Sequence, residues 1–128
     1  MKKTALFMLI VALLMGVAAC SPASKASQKG QSVAKQAIET LDDYLDGNTT
    51  LDSAREKLFD LHDQMSYTNE YVGKKKTDAQ QEDWFISHHL LMAALAVDMD
   101  SYKGNADTYD DIIEQRNELA ALAGIKKR

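Results

Sequence analysis

The chain has 128 residues, with 15 Lys and Arg against 19 Asp and Glu and a formal net charge of −4. This length fits one domain, the acidic balance argues against a nucleic-acid-binding protein, and the single Cys excludes a disulfide framework, a zinc finger or an iron–sulfur site. Hydrophobic residues make up 45% of the chain, but many of them lie in one uncharged run, residues 4–19. Without that run, an acidic domain remains.

The N-terminus has the layout of an export signal. Lys2 and Lys3 form a basic start, the apolar run follows, and small residues lead into Cys20. The run is shorter than the roughly 20 apolar residues that a membrane-spanning helix needs. We therefore predict a cleaved signal sequence at residues 1–19.

The run Val17-Ala18-Ala19-Cys20 resembles the lipobox of bacterial lipoproteins. The resemblance covers only the first 20 residues. It implies cleavage after Ala19, a diacylglyceryl group on the Cys20 sulfur and a fatty acid such as palmitate on its amine, which together anchor the protein in a membrane of the bacterial cell envelope. Ser21 is not the Asp that signals inner-membrane retention in enterobacterial lipoproteins. The resemblance thus implies a location at the outer membrane in a Gram-negative cell and at the outer face of the cell membrane in a Gram-positive one. The alternative interpretation of the segment is an ordinary secretory signal in which the Cys occurs by chance.

Residues 20–31 are small and polar with no apolar period, so we expect the lipidated Cys and a flexible tether there. In residues 32–128, apolar residues recur at helical spacing in four segments, without the alternation typical of strands. We expect the first helix at about residues 32–46, ended by Gly47. The second is expected at about residues 51–72, begun by a cap at Thr49 or Thr50.

The third helix is expected at about residues 78–102, beginning with a capping box formed by Thr77 and Gln80. It is apolar over most of its circumference, so we expect neighbouring helices to cover it on several sides, with Leu90 in the core. The fourth helix should end at Gly124. Short connections favour an all-α, antiparallel up-down bundle of four helices, with a three-helix bundle as the alternative.

Three side chains, His62, His88 and Met92, are weak candidates for a metal or haem site. The sequence contains no Cys-x-x-Cys-His motif and no His-x-x-x-His or Glu-x-x-His pair, and Met at helical spacing more often fills a core. The segment around Asp42 and Gly47 resembles the start of an EF-hand loop but lacks its spacing of oxygen ligands. We predict neither a metal nor a cofactor.

No nucleophile motif, phosphate loop or metalloprotease helix is present in the sequence, and we predict that the protein is not an enzyme. Aromatic residues could instead anchor a partner, because they combine a large contact area with a polar tip. We expect Trp84 and Tyr109 to pack in the core. Tyr67 and Tyr71 are left open as partner anchors.

Charge is expected to separate along an up-down bundle. Basic residues, including Lys25, Lys126 and Arg128, would gather at the end beside the lipid. The far end would collect acidic residues with little compensation, and this acidic pole is a candidate site for a basic partner surface or a divalent cation. Solvation by water and salt is the alternative explanation. The residues of the acidic pole are Asp42, Asp46, Asp98, Asp100 and Asp107.

Taken with the lipobox, these patterns favour a non-enzymatic, lipid-anchored helical bundle that acts as a protein-binding or structural module. Its expected partner is another envelope or extracellular protein. The alternative is a lipoprotein that binds or carries a small ligand or a divalent cation.

Overall fold

The computed structural model describes residues 24–65, 76–103 and 106–128. Over these ranges it contains four helices and no strand: α1 Gln28–Leu45, α2 Leu51–Gln64, α3 Asp78–Lys103 and α4 Ala106–Ala123. The prediction of an all-α fold with four helices is confirmed. None of these four helices combines the length and the apolar character needed to cross a membrane.

The first helix begins four residues earlier than predicted, because Ser27 caps it. The Ser27 hydroxyl accepts a hydrogen bond from the Gly30 N–H at 3.0 Å. Just upstream, Ala26 is buried and the Ser24 hydroxyl donates to the Leu122 carbonyl at 2.6 Å. The prediction of a flexible tether over residues 20–31 was therefore wrong for residues 24–31, which pack on the bundle, and the helical domain starts before residue 32.

Side-chain caps also set the starts of the next two helices. The Thr50 side chain caps α2 by accepting from the Ser53 N–H at 3.2 Å. At the start of α3, the Gln80 N–H donates to Thr77 Oγ1 at 3.2 Å and the Thr77 N–H donates to Gln80 Oε1 at 3.0 Å, which confirms the capping box. The second helix ends at Gln64, earlier than predicted, because the chain tightens into a turn at Met65.

Two helices end at a glycine with positive φ, Gly47 after α1 (φ 76°) and Gly124 after α4 (φ 68°), as predicted. After Gly124 the Ile125 N–H bonds back to the last turn of α4 at 2.8 Å. The chain thereby reverses, Ile125 packs against the core, and the Arg128 N–H reaches Asn117 Oδ1 at 2.8 Å. The C-terminal residues lie along α4 instead of extending beyond its end.

All four helices contribute side chains to one hydrophobic core. Leu90 of α3 is fully buried, as predicted, and so are Ala94 and Val97. Small residues such as Ala34 and Ala37 allow neighbouring helices to approach closely. The largest fully buried side chains are those of Leu41, Leu58, Leu61, Ile86, Leu90, Ile112, Leu119 and Val97.

Two polar contacts join α1 to α3 at the same sequence offset. Ser27 contacts Asp83 and Tyr44 contacts Asp100, and in both pairs the residues are 56 positions apart. The two helices therefore run in the same direction, as alternate helices do in an up-down bundle. The antiparallel order of consecutive helices stays a prediction, with which these contacts agree.

Candidate functional site

A stripe of large side chains on α3 is exposed to solvent. Trp84, Met92, Leu95 and Met99 are 40%, 39%, 43% and 42% exposed, and His88 is exposed between the first two. The spacing of four, four, three and four residues places all five on one side of a helix with 100° per residue. We call this stripe, defined by these five residues, the apolar face.

The opposite side of α3 packs in the core through Ile86, Leu90 and Val97. All three other helices contact α3, which agrees with the expectation of neighbours on several sides, but they leave this stripe uncovered. The expectation that Trp84 packs in the core was wrong. Tyr109 of α4 is also 43% exposed, which contradicts its predicted core position. The sequence misled because α3 is apolar on the covered and the uncovered side alike.

Ring contacts hold the start of the apolar face in place. The Trp84 and His88 rings stack with their centroids 5.8 Å apart and their planes at 10°, and Phe85 packs edge-on to Trp84 at 5.2 Å. The Lys76 ammonium group lies over the Trp84 ring, 4.9 Å from its centroid. The indole is thus exposed, but three neighbouring side chains contact its ring and favour this orientation.

The C-terminal half of the apolar face borders an open groove of about 290 Å³ between α3 and α4. The α3 side of the groove is apolar, whereas the α4 side is polar and carries the Asp111 carboxylate. Beside it, His89 of α3 is hydrogen-bonded to Gln115 of α4, with 2.8 Å between Nδ1 and Oε1. The groove is lined by Met92, Leu95, Ala96, Met99, Thr108, Asp111 and Gln115.

Part of the expected acidic pole is neutralised inside the protein. Asp42 of α1 receives two hydrogen bonds from the buried guanidinium group of Arg116, at 3.0 and 2.9 Å, and a third from Arg128 at 3.3 Å. The hydrogen bond from Arg116, which outweighs partial burial, lowers the pKa of Asp42. Asp46 pairs with Arg128 at 2.5 Å. These carboxylates are engaged and do not present a free acidic surface.

Two other members of the acidic pole are also engaged. Asp98 accepts a hydrogen bond from Arg55 of α2 at 2.9 Å. Asp100 accepts hydrogen bonds from the Tyr44 hydroxyl and, at 2.7 Å, from Thr108. Partial burial and the bond to Asp100 raise the pKa of Tyr44 to about 12. The expected lack of compensation was wrong for four of the five residues, and Asp107 alone of the five is exposed without such a partner among the described residues.

The basic end of the bundle also differs from the expectation. Arg128 was expected beside the lipid, but the reversal at Gly124 carries it back to Asp42 and Asp46. Those two carboxylates hold the pKa of the Arg128 guanidinium group above its ordinary value. Lys25 is exposed near the start of α1. Arg128 therefore neutralises two carboxylates at the C-terminal end of α1.

The weak metal candidates do not belong to a chelating cluster among the described residues. The Nδ1 atom of His62 on α2 lies 3.6 Å from its neighbour Asp63, whereas His88 and Met92 belong to the apolar face. Over residues 24–65, 76–103 and 106–128, no three His, Cys, Asp or Glu side chains are arranged to hold a metal ion. The lipidation residue Cys20, the cleavage residue Ala19 and the open candidates Tyr67 and Tyr71 lie outside the described residues.

Sequence reasoning missed Arg116, although a signal was present. Arg116 follows Ile112 by four positions and precedes Leu119 by three, so it stands on the apolar stripe of α4. A single cation among apolar neighbours predicts a buried ion pair.

No protein-family model, no curated protein and no solved structure matches the chain.

Proposed function

We propose that the protein is a lipid-anchored helical bundle of the bacterial cell envelope that binds another protein through the apolar face of α3. The observation that carries the binding role is the exposure of Trp84, Met92, Leu95 and Met99 on one side of a helix whose other side is fully packed. Exposed apolar side chains gathered in a patch are characteristic of interaction sites, whereas isolated ones are ordinary. The stripe extends over 16 residues of helix, from Trp84 to Met99, which is about 22 Å.

The side chains of the apolar face suit a binding surface. Trp is among the residues that most often dominate binding energy, and Met adapts its shape to different partners. Since the ring of Trp84 is already oriented by His88 and Lys76, its ordering costs little on binding. Folding of the bundle does not require the face to be covered, because the core lies on the other side of α3.

Affinity capture from an envelope extract tests the binding role. We compare the parent protein with the triple variant Met92→Gln, Leu95→Gln and Met99→Gln. The control variant carries Lys35→Gln, Glu39→Gln and Glu56→Gln, which replace three exposed charges on α1 and α2. The parent and the control should retain the same stoichiometric protein, and the face variant should lose it. Equal capture by all three would exclude the apolar face as the binding site.

The anchoring role rests on the lipobox and is tested separately. The precursor should incorporate labelled palmitate and partition with membranes, whereas a Cys20→Ser variant should do neither. Fatty-acid labelling of the Cys20→Ser variant would show that the lipobox assignment is wrong.

The alternative function, a small-ligand carrier, would use the groove beside Met92 and Met99. Native mass spectrometry of the purified protein would reveal a stoichiometric small molecule, which would replace the protein-binding proposal.

A further inference from the structure

The charges around the apolar face indicate what kind of partner it takes. From residue 78 to residue 123 the chain has ten Asp and Glu but only two basic residues, Lys103 and Arg116. Arg116 is buried against Asp42 and is therefore unavailable to a partner on the surface. The helix hairpin that carries the apolar face is strongly acidic.

Four of the five acidic residues of α4 lie on or next to the side that borders the groove. Asp111 lines the groove. Successive spacings of four, three and four residues place four carboxylates on one stripe of α4, those of Asp107, Asp111, Glu114 and Glu118. Asp107, Asp111 and Glu114 are exposed. We call these four residues the acidic rim. An apolar strip with an acidic rim on one side is complementary to a segment that has both apolar and basic residues.

Resting on the proposed function, we propose that the apolar face and its acidic rim bind an amphipathic, Lys- and Arg-containing helix of a partner protein. Such a helix would place apolar residues, spaced three and four apart, on Met92, Leu95 and Met99. Its basic flank would lie along Asp107 and Asp111. The face is long enough for about four helical turns.

The same charges oppose the other occupants of an apolar surface. A second copy of the chain would place another strongly acidic pair of helices against the first, and like charges repel. Anionic lipid headgroups would be repelled in the same way. At the opposite end of the face, Lys76 stands over Trp84 and would repel a basic side chain. The basic residues of the partner are therefore expected near Met99 and away from Trp84. This preference would set the orientation of the partner helix along α3.

Photo-crosslinking in the cells that make the protein tests this proposal with the full chain in place. A benzophenone amino acid replaces Leu95 in one strain and, as a control, Glu39 on the exposed side of α1 in another. After irradiation, mass spectrometry of the digested adduct identifies the segment joined to position 95. We expect a protein segment with apolar residues at helical spacing flanked by Lys or Arg.

A pair of charge variants adds the electrostatic test. Asp111→Asn with Glu114→Gln should lower the yield of the adduct at position 95 about three- to tenfold, because rim charges contribute to affinity and to the rate of encounter. The matched control, Glu56→Gln with Asp60→Asn on α2, removes the same two charges from another exposed helix surface and should leave the yield unchanged.

The outcomes separate the two proposals. An adduct at position 95 no stronger than that at position 39 would overturn the proposed binding function itself. A protein adduct whose segment lacks basic residues, or whose yield does not respond to Asp111→Asn with Glu114→Gln, would overturn only the assignment of a basic amphipathic helix. Adducts with phospholipid or with a second copy of this chain would overturn both the basic helix and the partner-protein role.

Discussion

Arg116 of α4 grips Asp42 of α1 with two parallel hydrogen bonds, from Nε to Oδ1 at 3.0 Å and from Nη2 to Oδ2 at 2.9 Å. The Nη1 group of the same guanidinium donates to the carbonyl oxygen of Lys126 at 2.7 Å. One buried cation thus joins the first helix, the last helix and the C-terminal residues. A bidentate pair of this kind is stronger than a single ion contact.

We predict that Arg116→Ala lowers the free energy of unfolding by about 2–3 kcal/mol, because it leaves the Asp42 carboxylate without its main partner. Arg55→Ala is the matched control: its ion pair with Asp98 has side chains 39% and 35% exposed, so the loss should be below about 1 kcal/mol. Urea denaturation measures both. Equal losses in the two variants would contradict a special role for the buried pair.

Acid should weaken the protein through Asp42. Its pKa is lowered by the hydrogen bond from Arg116, so at acidic pH the unfolded chain binds a proton more readily than the folded protein does. The stabilisation is present above the ordinary pKa of 3.8 and is lost as the pH falls through the lower pKa of the folded state. Thermal melts between pH 6 and pH 2 should show a drop that is smaller in Asp42→Asn. A variant with the parent's full acid sensitivity would show that other carboxyl groups are responsible.

Tyr44 should titrate later than an exposed tyrosine. Its pKa of about 12, above the ordinary value of 10.0, follows from partial burial and the bond to Asp100. Absorbance of tyrosinate measured from pH 9 to pH 13 should contain a late component that Tyr44→Phe removes. Since the folded state holds this proton more tightly, the stability linked to Tyr44 is complete below pH 10 and is lost as the pH rises through 12. An unchanged titration in Tyr44→Phe would refute the assignment.

Gly30→Ala should destabilise the protein, although Ala normally stabilises a helix relative to Gly by about 0.5–1 kcal/mol. A Cβ atom at Gly30 would lie 2.2 Å from Asp83 Oδ1. That carboxylate accepts hydrogen bonds from the Ser27 N–H at 3.0 Å and from the Ser27 hydroxyl at 2.6 Å. We expect a loss of about 1–3 kcal/mol in chemical denaturation. A stabilised variant would mean that the contact between α1 and α3 is looser than described.

The two sides of α3 can be compared by one substitution made at two sites. Leu90→Ala should cost about 3 kcal/mol because Leu90 is fully buried. Leu95→Ala should cost less than about 1 kcal/mol because Leu95 is 43% exposed. Thermal and urea denaturation of the two variants should therefore differ clearly. Similar losses would show that Leu95 is covered in solution, for instance by self-association.

Local signals were sufficient to predict the helices. A capping side chain such as Thr77 and a terminal glycine such as Gly47 act within a few residues, so their effect can be read from the sequence. Ser27 was missed because it stands among small polar residues, with no apolar period before Val33 to show that a helix had begun. Its partner Asp83 is 56 positions away, and no local pattern links them.

The candidate site depended on contacts that the sequence does not encode locally. Trp84 and Leu90 both belong to a continuously apolar helix, and only the packing of the other helices shows that one is exposed and the other buried. The prediction that the acidic pole lacks compensating charges was wrong for a similar reason. In the sequence, nothing near Asp42 indicates an ion pair, because its partner Arg116 is 74 positions away and meets it only in the folded protein. The carboxylates that matter for the proposed partner are those of α4.

If Cys20 carries a lipid as proposed, the attachment of Ser24 to Leu122 sets how far the bundle can stand from the membrane. Only four residue steps separate Cys20 from Ser24, and a fully extended chain gains at most about 3.6 Å per residue, which gives about 14 Å. With Cys20 lipidated as proposed, the bundle would stay within that distance of the membrane surface, although it could change its tilt. Trp84, next to the Asp83 that holds Ser27, would mark the lower edge of the apolar face. The partner would then have to present its helix within the first few nanometres above the lipid, which favours a neighbour embedded in or resting on the same membrane.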